Sequence, residues 1–157
     1  MSQVRSIGKP AVRVDALDKV LGKARYISDY QLSGMLYARV LRSDLPHARI
    51  ARLDVSAASK VPGVCAVITS ADFVNHGCFG RPYKDQHLLA YQKVRHVGEG
   101  IAAVAAETPE AALAGIKAVI CELQPLPGVF DMERALDADA PQIGPDKADG
   151  AHPNLVA

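Results

Sequence analysis

Gly98-Glu99-Gly100-Ile101-Ala102-Ala103 spells G-x-G-x-x-A behind a short apolar run, and Glu122 lies downstream where a dinucleotide fold places an acidic ribose ligand. Such glycines bind phosphate only where they open a helix, because the free N–H groups of a helix N-terminus meet the pyrophosphate. Here the helix signals come later. Thr108 offers a capping hydroxyl, Pro109 suits the first helical position, and Glu110 faces the positive end of the dipole. A helix running from Ile101 to Ile120 would hold Pro109 in its interior at about 3 kcal/mol, and residues 101–106 have no polar face. The favoured reading is a tight turn between two strands. Its rival, a nucleotide-binding module, predicts a helix starting near Gly100.

The remaining reactive residues are scattered. His47, His76, His87, His96 and His152 show neither H-x-x-x-H nor H-E-x-x-H spacing. His76 and Cys78 share one loop, but a metal there would still need distant ligands. Arg39, Arg42, Arg49 and Arg52 make a basic pair of strands, read as a solvated face balanced by Asp44 and Asp54 because no aromatic residues interleave for stacking. No G-x-S-x-G elbow raises a serine to a nucleophile, and no paired carboxylates stand out. Cys65, Cys78 and Cys121 are an odd number at wide spacings, which is neither a disulfide framework nor a C-x-x-C motif and reads as reduced thiols in a cytoplasmic protein. One stretch invites attention: His76-Gly77-Cys78-Phe79-Gly80-Arg81-Pro82 holds two glycines and a proline in seven residues, which forbids a regular element and makes a loop.

The elements that must position that loop follow from periodicity. Residues 35–42 alternate with a period of two, and 48–55 form a second strand. Residues 56–60 are a turn or short helix, and Val64 to Thr69 is a buried strand. Residues 94–97 and 101–106 are strands flanking the Gly98–Gly100 turn. Leu113, Ile116 and Ile120 recur at helical spacing and define the core face of one main helix, about 109–120. A strand follows at 121–123, and 131–136 could form one short helix. Three divisions result: an extended N-terminal segment with short turns (1–34), a mixed α/β domain (35–136), and a Pro-, Gly- and Asp-rich tail or linker (137–157).

Composition bounds the function. The 157 residues are 49% hydrophobic and 22% charged, a globular balance for one domain. No apolar run reaches the roughly 20 residues of a membrane span, so no membrane partner is expected. Lys plus Arg is 18 against 17 for Asp plus Glu, which argues against a nucleic-acid partner.

Ordered blocks then bring in a resemblance. Gly22-Lys23-Ala24-Arg25-Tyr26, Leu32-Ser33-Gly34-Met35-Leu36-Tyr37-Ala38, Leu41-Arg42-Ser43 and His47-Ala48-Arg49-Ile50 come first. Pro62-Gly63-Val64, Thr69-Ser70-Ala71-Asp72, Lys93-Val94-Arg95-His96-Val97-Gly98-Glu99 and Ala102 to Thr108 follow in order. Together they resemble the N-terminal a/b hammerhead domain of the molybdenum-binding large subunit of the xanthine dehydrogenase and aldehyde oxidase family, a group that includes CO dehydrogenase and 4-hydroxybenzoyl-CoA reductase. This chain has Gly98-Glu99-Gly100 where the family often has Gly-Glu-Pro.

The resemblance implies an α/β (α+β) a/b hammerhead fold and a non-catalytic role, in which the domain packs against molybdopterin domains and helps shape a substrate channel. It implies that the 157 residues are a fragment or a separately encoded piece of a larger subunit, with no catalytic residue, cofactor or metal of their own. The molybdenum–pterin cofactor then belongs to the rest of the enzyme, and iron–sulfur clusters and FAD to partner subunits or domains. The substrate would be an aldehyde, an N-heteroaromatic, carbon monoxide or an aromatic thioester. The family loop that reaches the substrate funnel maps onto Gly77, Cys78, Phe79 and Gly80, with Arg81 beside them. Phe79 is weighed equally as an apolar wall for a flat substrate and as an anchor of its own loop. For Cys78 and for Arg81, which would meet a carboxylate or phosphate, the plain loop role is favoured. A stand-alone nucleotide-binding or protein-interaction module is the alternative.

Overall fold

A computed structural model of the protein describes Gly8 and residues 10–80, 84–145 and 150–155. The chain divides after Met35 into two units. Among its described residues the first holds a short helix, α1 (Ala16–Val20), and a 3-10 turn at Ile27–Asp29, where the sequence reading has an extended segment with turns. Asp15 stands at the start of α1, and both Arg13 Nε and Lys19 Nζ lie 2.5 Å from its carboxylate. The Arg13 guanidinium first, and then Lys19, hold that carboxyl below the ordinary aspartate range. This unit buries none of its helix, and Val12, Val14, Leu17, Val20 and Ile27 are all more than two-thirds exposed.

The second unit is built on two antiparallel sheets. In the first, β1 (Tyr37–Arg42) and β3 (Val64–Thr69) flank β7 (Gly100–Ala106). In the second, β2 (Ala48–Asp54) lies between β6 (Lys93–Val94) and β8 (Ile120–Pro125). A two-strand hairpin, β4 (Cys78–Phe79) with β5 (Gln86–His87), stands apart from both. Ala48, Ala90, Val94 and Ile101 form a core lined by Leu41, Leu45, Ile50, Leu53, Cys121 and Leu123, which come from both sheets and so tie them together.

The missing polar face of 101–106 has a physical reason. β7 is the central strand: Ala102, Val104 and Ala106 are buried on one face, and on the other Ile101 is buried while Ala103 and Ala105 are half-buried, so neither face is open enough to call for polar side chains. No helix begins at Gly100. Gly98 carries φ +85° in the turn, and Gly100 opens the strand, where a β-carbon would lie 3.1 Å from Val40 and 3.2 Å from Leu89. The glycines therefore serve a turn and a close strand approach, and the nucleotide reading loses its helix.

The second helix, α2 (Pro109–Ala118), starts as its sequence signals predict. The Ala111 N–H donates to Thr108 Oγ1 at 3.1 Å, with Pro109 in the first turn. It ends two residues early, because Ile120 already pairs with Asp54 in β8. Its buried face also differs from the expected one. Ala112 and Gly115 are buried, while Leu113 is 46% exposed. The helix lies so close to the sheet that only small residues fit: a β-carbon on Gly115 would come within 2.8 Å of Val104 Cγ1 and 3.0 Å of Val64 Cγ2.

The stretch after 137 is tied down in the described residues. The Asn154 side chain accepts from the Ile143 N–H at 2.8 Å and donates to the carbonyls of Ala135 and Pro141 at 3.0 and 2.9 Å. Lys93 Nζ reaches the Gln142 carbonyl at 2.7 Å.

Candidate functional site: the hairpin at residues 78–87

The hairpin is approached through two tight turns. Thr69 and Asp72 close the first reciprocally: the Thr69 N–H donates to the Asp72 carboxylate at 2.7 Å, and Thr69 Oγ1 accepts from the Ala71 N–H at 3.3 Å. In the second, Asn75, His76 and Gly77 are three consecutive residues at positive φ (50°, 54° and 67°). Two of them are not glycine, so the local backbone is strained and must be held by its surroundings.

The restraint is an aromatic stack. The His76 ring lies on Tyr91 with centroids 3.7 Å apart and planes inclined by 9°, and His87 tilts against the same tyrosine at 5.8 Å. His87 Nδ1 sits 3.3 Å from the His76 carbonyl, and because a carbonyl only accepts, the imidazole donates. The Leu88 N–H donates to the Gly77 carbonyl at 3.2 Å. Gly77 is also tightly enclosed, since a β-carbon would sit 3.3 Å from the Leu88 and Phe73 side chains, and its φ of 67° disfavours any other residue.

The hairpin itself pairs Cys78 with His87 and Phe79 with Gln86. The Cys78 thiol donates to the Lys84 carbonyl. Phe79 is 45% exposed, and Gly80 takes φ 134° where the chain leaves the strand. Thus Gly77, Cys78, Phe79 and Gly80 fall on one hairpin, whereas the sequence reading allowed only an irregular loop there. Arg81 lies outside the described residues.

Phe79 opens onto a cavity of about 510 Å³ whose other wall includes Arg42, Arg95 and the Gly98–Gly100 turn. That turn is fixed by charge and by hydrogen bonds. Arg42 donates to the Gly98 carbonyl at 2.7 Å, and the Gly98 N–H donates to Ser43 O at 2.7 Å. Glu99 is buried: its carboxylate accepts from the Arg95 backbone N–H and pairs with the Arg95 guanidinium at 3.6 Å. A cavity wall therefore stands where the sequence alone shows a misleading phosphate motif.

The other predicted candidates serve the fold. His47 is buried, and its Nδ1 donates to the Pro127 carbonyl at 2.6 Å, fastening the end of β8 to the start of β2. Arg52 bridges Asp54 at 3.2 Å and Glu122 at 3.6 Å, so Glu122 belongs to a cross-strand ion pair. Cys121 sits against the core, and burial, then the Asp44 charge, push its thiol above the ordinary range. Among the described residues no three His, Cys, Asp or Glu side chains come together as a metal-ligand set. The His76–Tyr91 stack and the Arg95–Glu99 pair escaped the sequence reading.

Comparison with known proteins places this geometry. The family described as "Aldehyde oxidase and xanthine dehydrogenase, a/b hammerhead domain" matches residues 21–127. The nicotinate dehydrogenase large molybdopterin subunit of Eubacterium barkeri is 44% identical over 137 residues, covering 87% of this chain and 32% of that protein. A probable xanthine dehydrogenase subunit of Bacillus subtilis is 41% identical over 141 residues, covering 89% of this chain and 19% of that protein. The crystal structure of Cu,Mo-CO dehydrogenase in its carbon monoxide-reduced state superposes with a TM-score of 0.77 at 36% identity, covering 86% of this chain and 17% of that one. The chain thus spans a third or less of the length of these relatives.

Proposed function

Because this chain belongs to the aldehyde oxidase and xanthine dehydrogenase a/b hammerhead family, we propose that it is the non-catalytic hammerhead portion of a molybdenum hydroxylase large subunit, packed against molybdopterin-binding domains and walling one side of their substrate channel. The observation that carries this reading is the asymmetry of coverage. Nearly nine-tenths of this chain aligns with subunits of which it makes up a third or less. The exposed apolar surface supports it. Leu36, Tyr37, Val40, Ile68 and Leu113 of the second unit, and Val12, Val14 and Ile27 of the first, are large apolar side chains left exposed, which neighbouring domains would cover.

The catalytic group belongs elsewhere in the large subunit. The three cysteines do not make a donor set: Cys65 is exposed, Cys78 is bonded within its hairpin, and Cys121 faces the core. An iron–sulfur cluster takes four such thiolates. When bound by the neighbouring domains, the molybdenum–pterin group supplies the redox chemistry, while this chain supplies shape. Phe79 presents an apolar ring to a flat substrate, and Gly77 and Gly80 let the hairpin turn tightly enough to present it. The substrate class is an N-heteroaromatic, supported by relatives named for nicotinate and xanthine at 44% and 41% identity. Electrons leave through iron–sulfur and flavin partners, in a cytoplasmic assembly. No helix among the described residues is long and apolar enough to cross a membrane.

The test is the intact mass and molybdenum content of the protein purified from its native cells. A polypeptide several times longer than 16.7 kDa carrying molybdenum is expected. A free chain of that mass, without molybdenum and without a molybdenum-bearing partner, overturns the reading.

A further inference from the structure

Beside the hairpin lies a second cavity of about 890 Å³, which shares His87 and Arg95 with the Phe79 cavity. Its walls are the start of β2, the segment 91–95 with β6, the turn at 75–78, and the chain at 142–145. Among the described residues, every charged side chain on these walls is a cation: Arg49, Lys84, Lys93 and Arg95. His47, His76 and His87 add imidazoles, and no described Asp or Glu lines it. In a protein with nearly balanced charge, 18 basic against 17 acidic residues, this is a local concentration of one sign.

A second observation is independent of charge. Among the described residues, the buried side-chain nitrogens without a hydrogen-bond partner are His47 Nε2, His76 Nδ1 and Arg95 Nε. All three residues line this cavity. Buried polar atoms are ordinarily paired, and three orphans on residues of one wall set mark this side of the domain as unusually polar, although the atoms themselves are shielded and a ligand would meet the exposed cations first. The cations differ in how far they are already engaged. Glu99 offsets Arg95, and Lys93 donates to the Gln142 carbonyl. Arg49 and Lys84 stand exposed at the cavity, with no carboxylate among its described walls. Asp85, next to Lys84, lines the neighbouring cavities instead.

We propose that this cavity is a binding site for a small anion, a phosphate- or carboxylate-bearing ligand held chiefly by Arg49 and Lys84. A planar guanidinium takes two oxygens of either group in parallel, and the lysine adds a point charge. The space is larger than a single oxyanion and leaves room for an organic body against the His76–Tyr91 stack. The site does not rest on the assignment of substrate or activity, because it is read by binding alone.

The experiment is equilibrium binding to the full-length protein in its native assembly, at low ionic strength, with inorganic phosphate in one arm and succinate in the other. Saturable one-site binding is expected, and the tighter arm identifies the anion class. Arg49→Gln and Lys84→Gln should each weaken it by about five- to tenfold. Arg49→Lys should recover part of the loss, and Lys117→Gln on α2 should change nothing. Raising salt from about 50 to about 200 mM should weaken binding further. No saturable binding in either arm overturns the proposal, as does equal binding by the Arg49→Gln/Lys84→Gln double variant. An equal loss in Lys117→Gln also overturns it, because it would mark general surface attraction.

Discussion

Replacing Gly115 by alanine sets two physical terms against each other, and the packing of α2 decides between them. In an open helix, Gly→Ala stabilises by about 1 kcal/mol through backbone entropy. Here the added methyl would lie 2.8 Å from Val104 Cγ1 and 3.0 Å from Val64 Cγ2, where ordinary carbon contacts are about 3.5–4.0 Å. Neither neighbour can yield cheaply. Val104 is fully buried in the central strand, and β-branched side chains are stiff at χ1. The helix must therefore rise by several tenths of an ångström, and overpacking of this kind costs about 2–3 kcal/mol. The net expectation is a loss of about 1–2 kcal/mol, or a melting temperature lower by roughly 2–8 °C for a domain of this size. Thermal unfolding of the purified variant against the parent measures it. Alanine at position 115 that leaves the melting temperature unchanged or raises it would refute the close helix–sheet contact.

Other outcomes follow from the same structure. Glu99→Gln should keep an acceptor for the Arg95 N–H but strand the guanidinium, costing about 2–3 kcal/mol in denaturant unfolding; replacing Arg95 and Glu99 together by Met should recover part of that. With a disulfide-exchange reagent, exposed Cys65 should react first and Cys121 last, because burial keeps the Cys121 thiol protonated; rapid labelling of all three would contradict its place in the core. Asp54 is held below the ordinary aspartate range by the Ser56 hydroxyl and N–H and then by Arg52. Its contribution is complete above the unfolded aspartate pKa and is lost as pH falls through the lower folded value, so Asp54→Asn should flatten the stability profile only on the acid side, below about pH 4.

Much of this architecture is written in local signals. Thr108-Pro109-Glu110 marks the start of α2, and the alternation in 37–42 marks a strand, because capping and pleating act over a few residues. The end of α2 and its buried face are not local. Leu113 looks like a core residue until the sheet beneath proves to be Ala and Val so close that Gly115 must face it. The Gly98–Gly100 motif is ambiguous for the same reason. Pro109 already argues for a strand over a helix there, and the pairing of β7 between β1 and β3 decides it. At the candidate site, the glycines at 77 and 80 announce an irregular segment, but its register is set by Tyr91 reaching back to His76 across fifteen residues. Family blocks reveal the fold before any of this, because they encode pairings that periodicity cannot see.

The most direct test of the channel role is Phe79→Ala in the whole enzyme, assayed on a flat N-heteroaromatic and on a small aliphatic aldehyde. The ring is 45% exposed, so its loss should barely move the melting temperature. A wall contact with a planar substrate is worth about 1–2 kcal/mol, which predicts a KM for the heteroaromatic raised roughly 5- to 30-fold with kcat nearly kept and the aldehyde little affected. A lowered melting temperature with an unchanged ratio between the two substrates would contradict the account and make Phe79 an anchor of its own hairpin.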